Sequence, residues 1–241
     1  MEKLDPEAGA VLLVDKPLTW TSFNVVAKLR GALHKLCGHR VKVGHAGTLD
    51  PLATGLLILG TGKMTKLLPS LTEDDKEYTA TLRLGATTAS YDAETPPENE
   101  RPWEHITGHD VEHMLRRFTG PIMQRPPNFS AKRFQGERAY NLSRWGEPLD
   151  LPEVPVRIDA VELLGMEGRE VRLRVVCSKG TYIRSLAHDI GQALGCGAYL
   201  SALRRTRSGS FQVADARTPA EWSDWLDAWI ATRPPADAQG T

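Results

Sequence analysis

The chain has 241 residues, which is enough for one substantial core in either one large domain or two small ones. Lysine plus arginine equal aspartate plus glutamate at 30 each, so global charge gives no argument for a polyanionic partner. No apolar run approaches the ~20 residues of a membrane span, and the start lacks a signal-peptide pattern, so we expect a soluble cytoplasmic protein. The three cysteines, Cys37, Cys177 and Cys196, show no C-x-x-C spacing, which argues against a disulfide framework and a cysteine zinc site.

The first third of the sequence predicts a strand, a helix and a loop before a buried strand. Residues 11–14 form an apolar run, and Thr21 or Ser22 can cap a helix that follows it. That helix places Val25, Val26, Leu29, Leu33 and Leu36 on one face. Glycines and a proline predict a loop over residues 44–55, and the apolar residues 56–59 then predict a buried strand. Apolar and polar side chains alternate over residues 78–84, which predicts another strand.

The middle of the chain predicts a short helix followed by an unusual segment. A helix over residues 110–118 is closed by Gly120-Pro121. Residues 124–150 then interleave prolines and basic residues with Phe129, Phe134, Tyr140 and Trp145. This composition suits an arm that closes on RNA, because cations meet phosphates and rings stack on bases. A surface excursion with a small satellite core explains it equally well.

The last third predicts a hairpin, two helices and a tail. Strands over residues 156–164 and 171–177 flank a turn and predict a hairpin. A predicted helix over residues 181–194 ends at Gly195, and a strand follows at residues 211–213. A capping box at residues 218–221 starts a helix in which Trp222, Trp225 and Trp229 recur at helical spacing. We expect those tryptophans in a core or an interface, and we expect disorder over residues 233–241.

Positive charge is concentrated in two regions that are far apart in the sequence. Between Lys16 and Thr72 the only carboxylate is Asp50. The cations of the second region are Arg172, Arg174, Lys179, Arg184, Arg204, Arg205 and Arg207. The two regions either face one polyanion or form separate solvated faces, and charge alone does not separate these alternatives.

Asp50 is the strongest chemical candidate. It lies in the run GHAGTLDPLATG at residues 44–55, on a glycine-rich loop before a buried strand. An aspartate before a proline is a common turn residue, but this position fixes the backbone and leaves room for a ligand. A carboxylate there needs a neighbouring cation to stay ionised, and Arg184, in the run CSKGTYIR at residues 177–184, is a candidate. Alternatively, Arg184 is an ordinary surface arginine near a helix start.

Taken together, these segments resemble the TruB family of tRNA pseudouridine synthases. Further motifs of the family recur in order across residues 10–213: Asp15-Lys16-Pro17, Lys76-Glu77-Tyr78, LGATT at 84–88 with Asp92, PPNFSAK at 126–132 and LRRTRSGSF at 203–211. The resemblance implies an α+β pseudouridine synthase fold, with a mixed, largely antiparallel central sheet, a cleft and flanking helices. It implies a single catalytic domain over residues 1–232 with an RNA-binding insertion at about 124–150. Many relatives carry a further RNA-binding PUA domain, and we infer a short form without it.

The resemblance also assigns roles to individual residues. It implies that Asp50 is the catalytic carboxylate, that Arg184 is its ion-pair partner and that the Tyr78 ring stacks on the target base. Four further residues match family positions at or near the substrate: His45, Tyr182, Leu203 and Lys16.

The implied reaction converts uridine-55 in the T-loop of tRNA into pseudouridine after the nucleotide is flipped out. It requires no cofactor and no metal. Asp50 adds to C6 of the uracil, attacks the ribose C1′ or removes the 2′ hydrogen to give a glycal, and the sequence leaves these routes open. We expect a monomer that binds the tRNA T-arm without a membrane or an obligatory protein partner.

Three other functions are compatible with parts of the sequence. An RNA chaperone would use the basic regions and aromatics but would not need a carboxylate in a basic loop. A hydrolase using His45 and Asp50 would need a metal or a nucleophile, and the sequence offers neither a second ligand cluster nor a G-x-S-x-G motif. A guide-dependent pseudouridine synthase would usually need the appended RNA-binding domain.

Overall fold

The computed structural model describes residues 5–6, 8–129, 133–134, 137–138 and 151–231. The chain divides into two compact units: the first comprises Met1–Glu73 and Thr206–Thr241, and the second comprises Asp74–Arg205. None of the described helices has the length and apolar content needed to cross a membrane.

The first unit is built on short antiparallel strands. They are β1 (Val11–Lys16), β2 (Val43–Ala46) and β3 (Ala53–Thr61). Strand β3 pairs with β1 from Val11↔Gly60 to Lys16↔Gly55 and with β2 from Val43↔Thr61 to Ala46↔Ile58. Nearly every residue of β3 is buried, as expected of a strand covered on both faces.

Helices cover this part of the sheet. They are α1 (Ser22–Cys37), α2 (Leu68–Glu73) and, near the end of the chain, α5 (Pro219–Ala231). Helix α1 begins with a reciprocal capping box between Thr21 and Asn24, and it ends at Gly38, whose φ of 76° is left-handed. Helix α5 packs against α1, and the indole of Trp222 donates to the carbonyl of Leu13 at 2.8 Å. The expectation that the tryptophans belong to a core is confirmed for Trp222, which is buried.

The second unit contains a larger antiparallel sheet. Its strands are β4 (Lys76–Leu84), β5 (Gly120–Gln124), β8 (Val154–Glu167), β9 (Glu170–Cys177) and β10 (Ala198–Ser208), in the order β10-β4-β9-β8-β5. The last residues of β10 belong to the first unit, where they pair with β11 (Phe211–Gln212). One face of β4 and β9 is buried and, apart from Lys76, apolar, and the other carries mostly charged and hydroxyl side chains.

Two helices accompany this sheet, α3 (Gly108–Leu115) and α4 (Ile183–Ala193). Helix α4 approaches the start of β10 so closely that a Cβ at Gly191 would lie 2.0 Å from the amide nitrogen of Ala198. Glycine is therefore required there, since any side chain would force α4 away from the backbone of β10.

The predicted fold class is confirmed: the sheet is mixed, mostly antiparallel and flanked by helices. The loop predicted over residues 44–55 is wrong in extent, because Val43–Ala46 is a strand and β3 already starts at Ala53. Cross-strand pairing with β3 overrides the low strand propensity of the glycines. In the predicted insertion, the structure describes residues 124–129 and a hairpin of β6 (Arg133–Phe134) and β7 (Glu137–Arg138). The predicted tail lies outside the described residues.

Candidate active site

Asp50 lies on a short loop, residues 47–52, that connects β2 to β3. Gly47 opens the loop with a left-handed φ of 72°, a conformation that glycine adopts without strain. The loop then closes as a tight turn, in which the amide of Ala53 donates to the carbonyl of Asp50 at 3.1 Å. The half-buried carboxylate is thus held by a defined backbone next to a buried strand.

Lys16, at the end of β1, organises the backbone around this loop. Its side chain is 0% exposed, and its ammonium donates to the carbonyls of Pro17 at 3.0 Å, Trp20 at 2.5 Å and Pro51 at 3.3 Å. A buried lysine is costly unless it is hydrogen-bonded, and here carbonyls satisfy the ammonium. This burial gives Lys16 a role in holding the residue after Asp50, and its predicted contact with the substrate stays a prediction.

Replacing Lys16 with methionine should weaken the loop without removing bulk. The three carbonyls would lose a charged donor, at a cost of about 1–3 kcal/mol in the free energy of unfolding. Because the Pro51 carbonyl would be released, we expect kcat to fall more than KM rises. Urea unfolding and steady-state kinetics measure the two effects, and wild-type kcat in K16M would contradict the positioning role.

His45 lies on β2, before the Asp50 loop, and its backbone pairs with Leu59 of β3. The imidazole is half-buried in the same unit as Asp50. A strand residue is held more rigidly than a loop residue, so His45 is suited to occupy a fixed place in a substrate complex.

Arg184 lies in the first turn of α4, and its guanidinium pairs with Asp92. Nη1 of Arg184 is 3.6 Å from Oδ2 of Asp92 and donates to the carbonyl of Ser90 at 3.3 Å. Arg184 and Asp92 are each only 4% exposed. A buried ion pair of this kind fixes the position of the guanidinium, because either charge without its partner would be strongly disfavoured in the protein interior.

Asp92 is itself held by its own segment. Its Oδ1 accepts from the hydroxyl of Ser90 at 2.6 Å and from the amide of Glu94 at 3.0 Å. The carboxylate therefore has one oxygen for local hydrogen bonds and the other for Arg184. The sequence identified Asp92 only as part of a motif, and its pairing was missed because the partners are far apart in the chain.

Gln124, to which the sequence assigned no role, positions the backbone of Tyr182. The Gln124 amide accepts from the Tyr182 backbone N–H at 2.8 Å and donates to the Tyr182 carbonyl at 3.1 Å. Gln124 is fully buried at the end of β5, and Tyr182 is the N-cap of α4 without a capping bond from its own side chain. The side-chain amide of Gln124 thus fixes the N-terminal end of α4, the helix that carries Arg184.

Tyr78 lies on β4 and points to its buried face. Lys76 lies on the same face. The pKa of its ammonium is lowered mainly by burial and, to a smaller extent, by the nearby positive charge of Arg205. Leu203 lies half-buried on β10, the strand that also carries Arg205. Tyr78 is 9% exposed, so little of its ring is available to water.

The predicted site residues are distributed over both units. Lys16, His45 and Asp50 belong to the first unit, and Tyr78, Tyr182, Arg184 and Leu203 belong to the second. Within the part of the chain that the structure describes, no group of three or more histidine, cysteine, aspartate or glutamate side chains could hold a metal ion.

Comparisons with known proteins identify the family of this chain. A model described as TruB family pseudouridylate synthase (N terminal domain) matches residues 34–183. A second model, tRNA pseudouridylate synthase B C-terminal domain, matches residues 184–233. The chain belongs to the TruB family of pseudouridine synthases. This TruB-family chain is 52% identical to a protein named tRNA pseudouridine synthase B in Phocaeicola vulgatus, over 91% of this chain and 94% of the relative. It is 50% identical to a protein of the same name in Parabacteroides distasonis, over 93% of this chain and 96% of the relative.

Solved structures support the fold of this TruB-family chain. A crystal structure of a Cbf5-Nop10-Gar1 complex matches with a TM-score of 0.70 and 32% identity, and it covers 93% of this chain and 56% of the other. A structure of an H/ACA RNP bound to a substrate RNA containing 2′-deoxyuridine matches with a TM-score of 0.67 and 31% identity, and it covers 92% of this chain and 54% of the other. The chain spans little more than half the length of these two proteins.

The family identifies the reaction class. The chain is a pseudouridine synthase, an isomerase that converts uridine to pseudouridine in tRNA.

Proposed function

We propose that this TruB-family enzyme isomerises uridine-55 in the T-loop of tRNA, with the Asp50 carboxylate as the reacting group. The observation that carries the proposal is the setting of Asp50. It is the only carboxylate between Lys16 and Thr72, and hydrogen bonds fix the residues on both sides of it, Leu49 and Pro51. A single carboxylate on a fixed backbone, in a stretch of sequence whose other charged residues are cations, suits a glycoside rearrangement without a cofactor.

Arg184 has the second role in the proposal. We expect its guanidinium to face Asp50, to keep the carboxylate ionised and to orient it towards the flipped nucleotide. The pair with Asp92 supports this role, since it holds the guanidinium in one place before the substrate arrives. Tyr78 then covers one face of the uracil, and His45 braces the loop that the nucleotide has left.

The chemistry needs one bond broken and one formed within the same nucleoside. The bond from N1 of the uracil to C1′ of the ribose breaks, the base turns, and a bond from C5 to C1′ forms. C5 loses its proton and N1 takes one up, so the product is an isomer of the substrate. Addition of Asp50 to C6, attack at C1′ and removal of the 2′ hydrogen all demand an ionised carboxylate. We further propose that the protein works in the cytoplasm as a monomer, without a guide RNA or protein partner.

Incubation of the purified protein with a T-arm transcript alone tests the proposed substrate. We expect one pseudouridine, at the position equivalent to 55, and no product when that uridine is replaced by cytidine. Chemical mapping of pseudouridine locates the product. Product at another uridine, or only after addition of a guide RNA, would contradict the proposal and favour a guide-dependent synthase.

A further inference from the structure

Two large apolar side chains are exposed on either side of the start of α1. Leu18 is 54% exposed and Phe23 is 66% exposed. Single exposed apolar residues are common on protein surfaces and need no explanation. Here, however, two of them lie within one short segment that also contacts the Asp50 loop.

Hydrogen bonds bind this segment to both neighbours of Asp50. The amide of Thr19 donates to the carbonyl of Pro51 at 2.9 Å. The hydroxyl of Ser22 accepts from the amide of Leu49 at 2.9 Å and donates to the carbonyl of Leu49 at 3.1 Å. Thr19 also has a left-handed φ of 69°, which is uncommon for a β-branched residue. The position of the two apolar side chains is therefore coupled to the position of the carboxylate.

The charge pattern of α1 and the residues after it favours a polyanion as the partner of this surface. The first turn of α1 contains no acidic residue, so the partial positive charge of the helix start is not neutralised by a neighbouring carboxylate. Lys28 is exposed on α1 five residues after Phe23, and further exposed lysines lie later in the same unit at Lys35 and Lys42. Side chains on a helix lean towards its start, so we expect the Phe23 ring to lie on the side of the loop that carries Leu18.

We propose that Leu18 and Phe23 form an apolar platform that stacks on unpaired bases of the tRNA T-loop, beside the nucleotide that enters the active site. Rings stack on any base, so the platform supplies affinity and register while Asp50 supplies chemistry. The inference rests on the proposed function, because it assigns the platform to the same T-loop. It adds a binding surface made of residues outside the catalytic set.

Binding and kinetics of platform variants on a T-arm transcript test this assignment. In F23A, we expect Kd and KM to rise about five- to a hundredfold, with kcat unchanged at saturating RNA. L18A should give a smaller rise. F23Y keeps a ring and should bind like wild type, whereas F23L keeps apolar bulk without a ring and should behave like F23A. The matched control is L164A, which truncates an apolar side chain that is 47% exposed in the other unit.

Several outcomes would overturn the platform. Equal Kd in F23A and wild type would do so, as would an F23L variant that binds like wild type. If sedimentation shows a wild-type dimer that F23A dissociates with RNA affinity unchanged, the surface joins two copies of the chain and the proposal is wrong. Failure of wild type to modify the T-arm contradicts the proposed function, whereas modification by wild type with no change in the variants contradicts the platform alone.

Discussion

Replacing Asp50 with asparagine should abolish pseudouridine formation while RNA binding persists. The amide has nearly the shape of the carboxylate but cannot act as a nucleophile or a base, so we expect product formation to fall at least ~10⁴-fold. Loss of one negative charge near phosphates should leave the affinity unchanged or make it slightly tighter. Pseudouridine mapping and a binding titration with the same T-arm transcript measure both effects.

Asp224→Asn is the matched control for this substitution. Asp224 is an exposed carboxylate on α5 in the same unit, so D224N changes the net charge equally without touching the Asp50 loop. We expect wild-type turnover in D224N. Equal product from D50N and wild type would remove Asp50 from the mechanism, and loss of binding in D50N would assign it a structural role instead.

Replacing Asp92 with alanine should cause the largest loss of stability. The substitution leaves the Arg184 guanidinium buried without its carboxylate, and breaking a buried pair in this way costs about 3–5 kcal/mol. For a chain of this size we expect Tm to fall by about 10 °C. Turnover should also fall, by up to ~100-fold, because the guanidinium would shift from the position in which Asp92 holds it.

Calorimetry and turnover well below the Tm of the variant separate the two losses. The matched control is Glu98→Ala, since Glu98 is an exposed carboxylate in the same unit, and we expect E98A to unfold and turn over like wild type. Asp92→Asn keeps the acceptor oxygen for Ser90 and Glu94 but loses the charge, so it should lie between D92A and wild type. Wild-type stability in D92A would show that the pair does not hold Arg184.

Hydrophobic periodicity predicted the large elements well. Helix α1, the hairpin of β8 and β9, and helix α5 with its capping box at Thr218 and Glu221 are confirmed. Their signals are local, because one face of each element is apolar over many residues. Strand β2 was missed because Gly44 and the nearby Gly47 favour a loop, and pairing with β3, which the local pattern does not reveal, makes residues 43–46 a strand.

The candidate site was predictable only in part. The sequence singled out Asp50 because it is an isolated carboxylate among cations. It could not reveal that Lys16 is buried against three carbonyls, since a lysine after a strand is ordinarily exposed. The contacts of Asp92 with Arg184 and of Gln124 with Tyr182 join residues that only the fold brings together.

The structure of the D50N variant bound to a T-arm RNA is the most direct measurement of the central claim. We predict that uridine-55 is flipped out of its loop, with its C6 and C1′ within about 4 Å of the residue-50 side chain. The Arg184 guanidinium should contact that side chain, and the Tyr78 ring should cover the uracil. A uridine still stacked in the loop, or a residue-50 side chain in bulk solvent away from Arg184, would contradict the account.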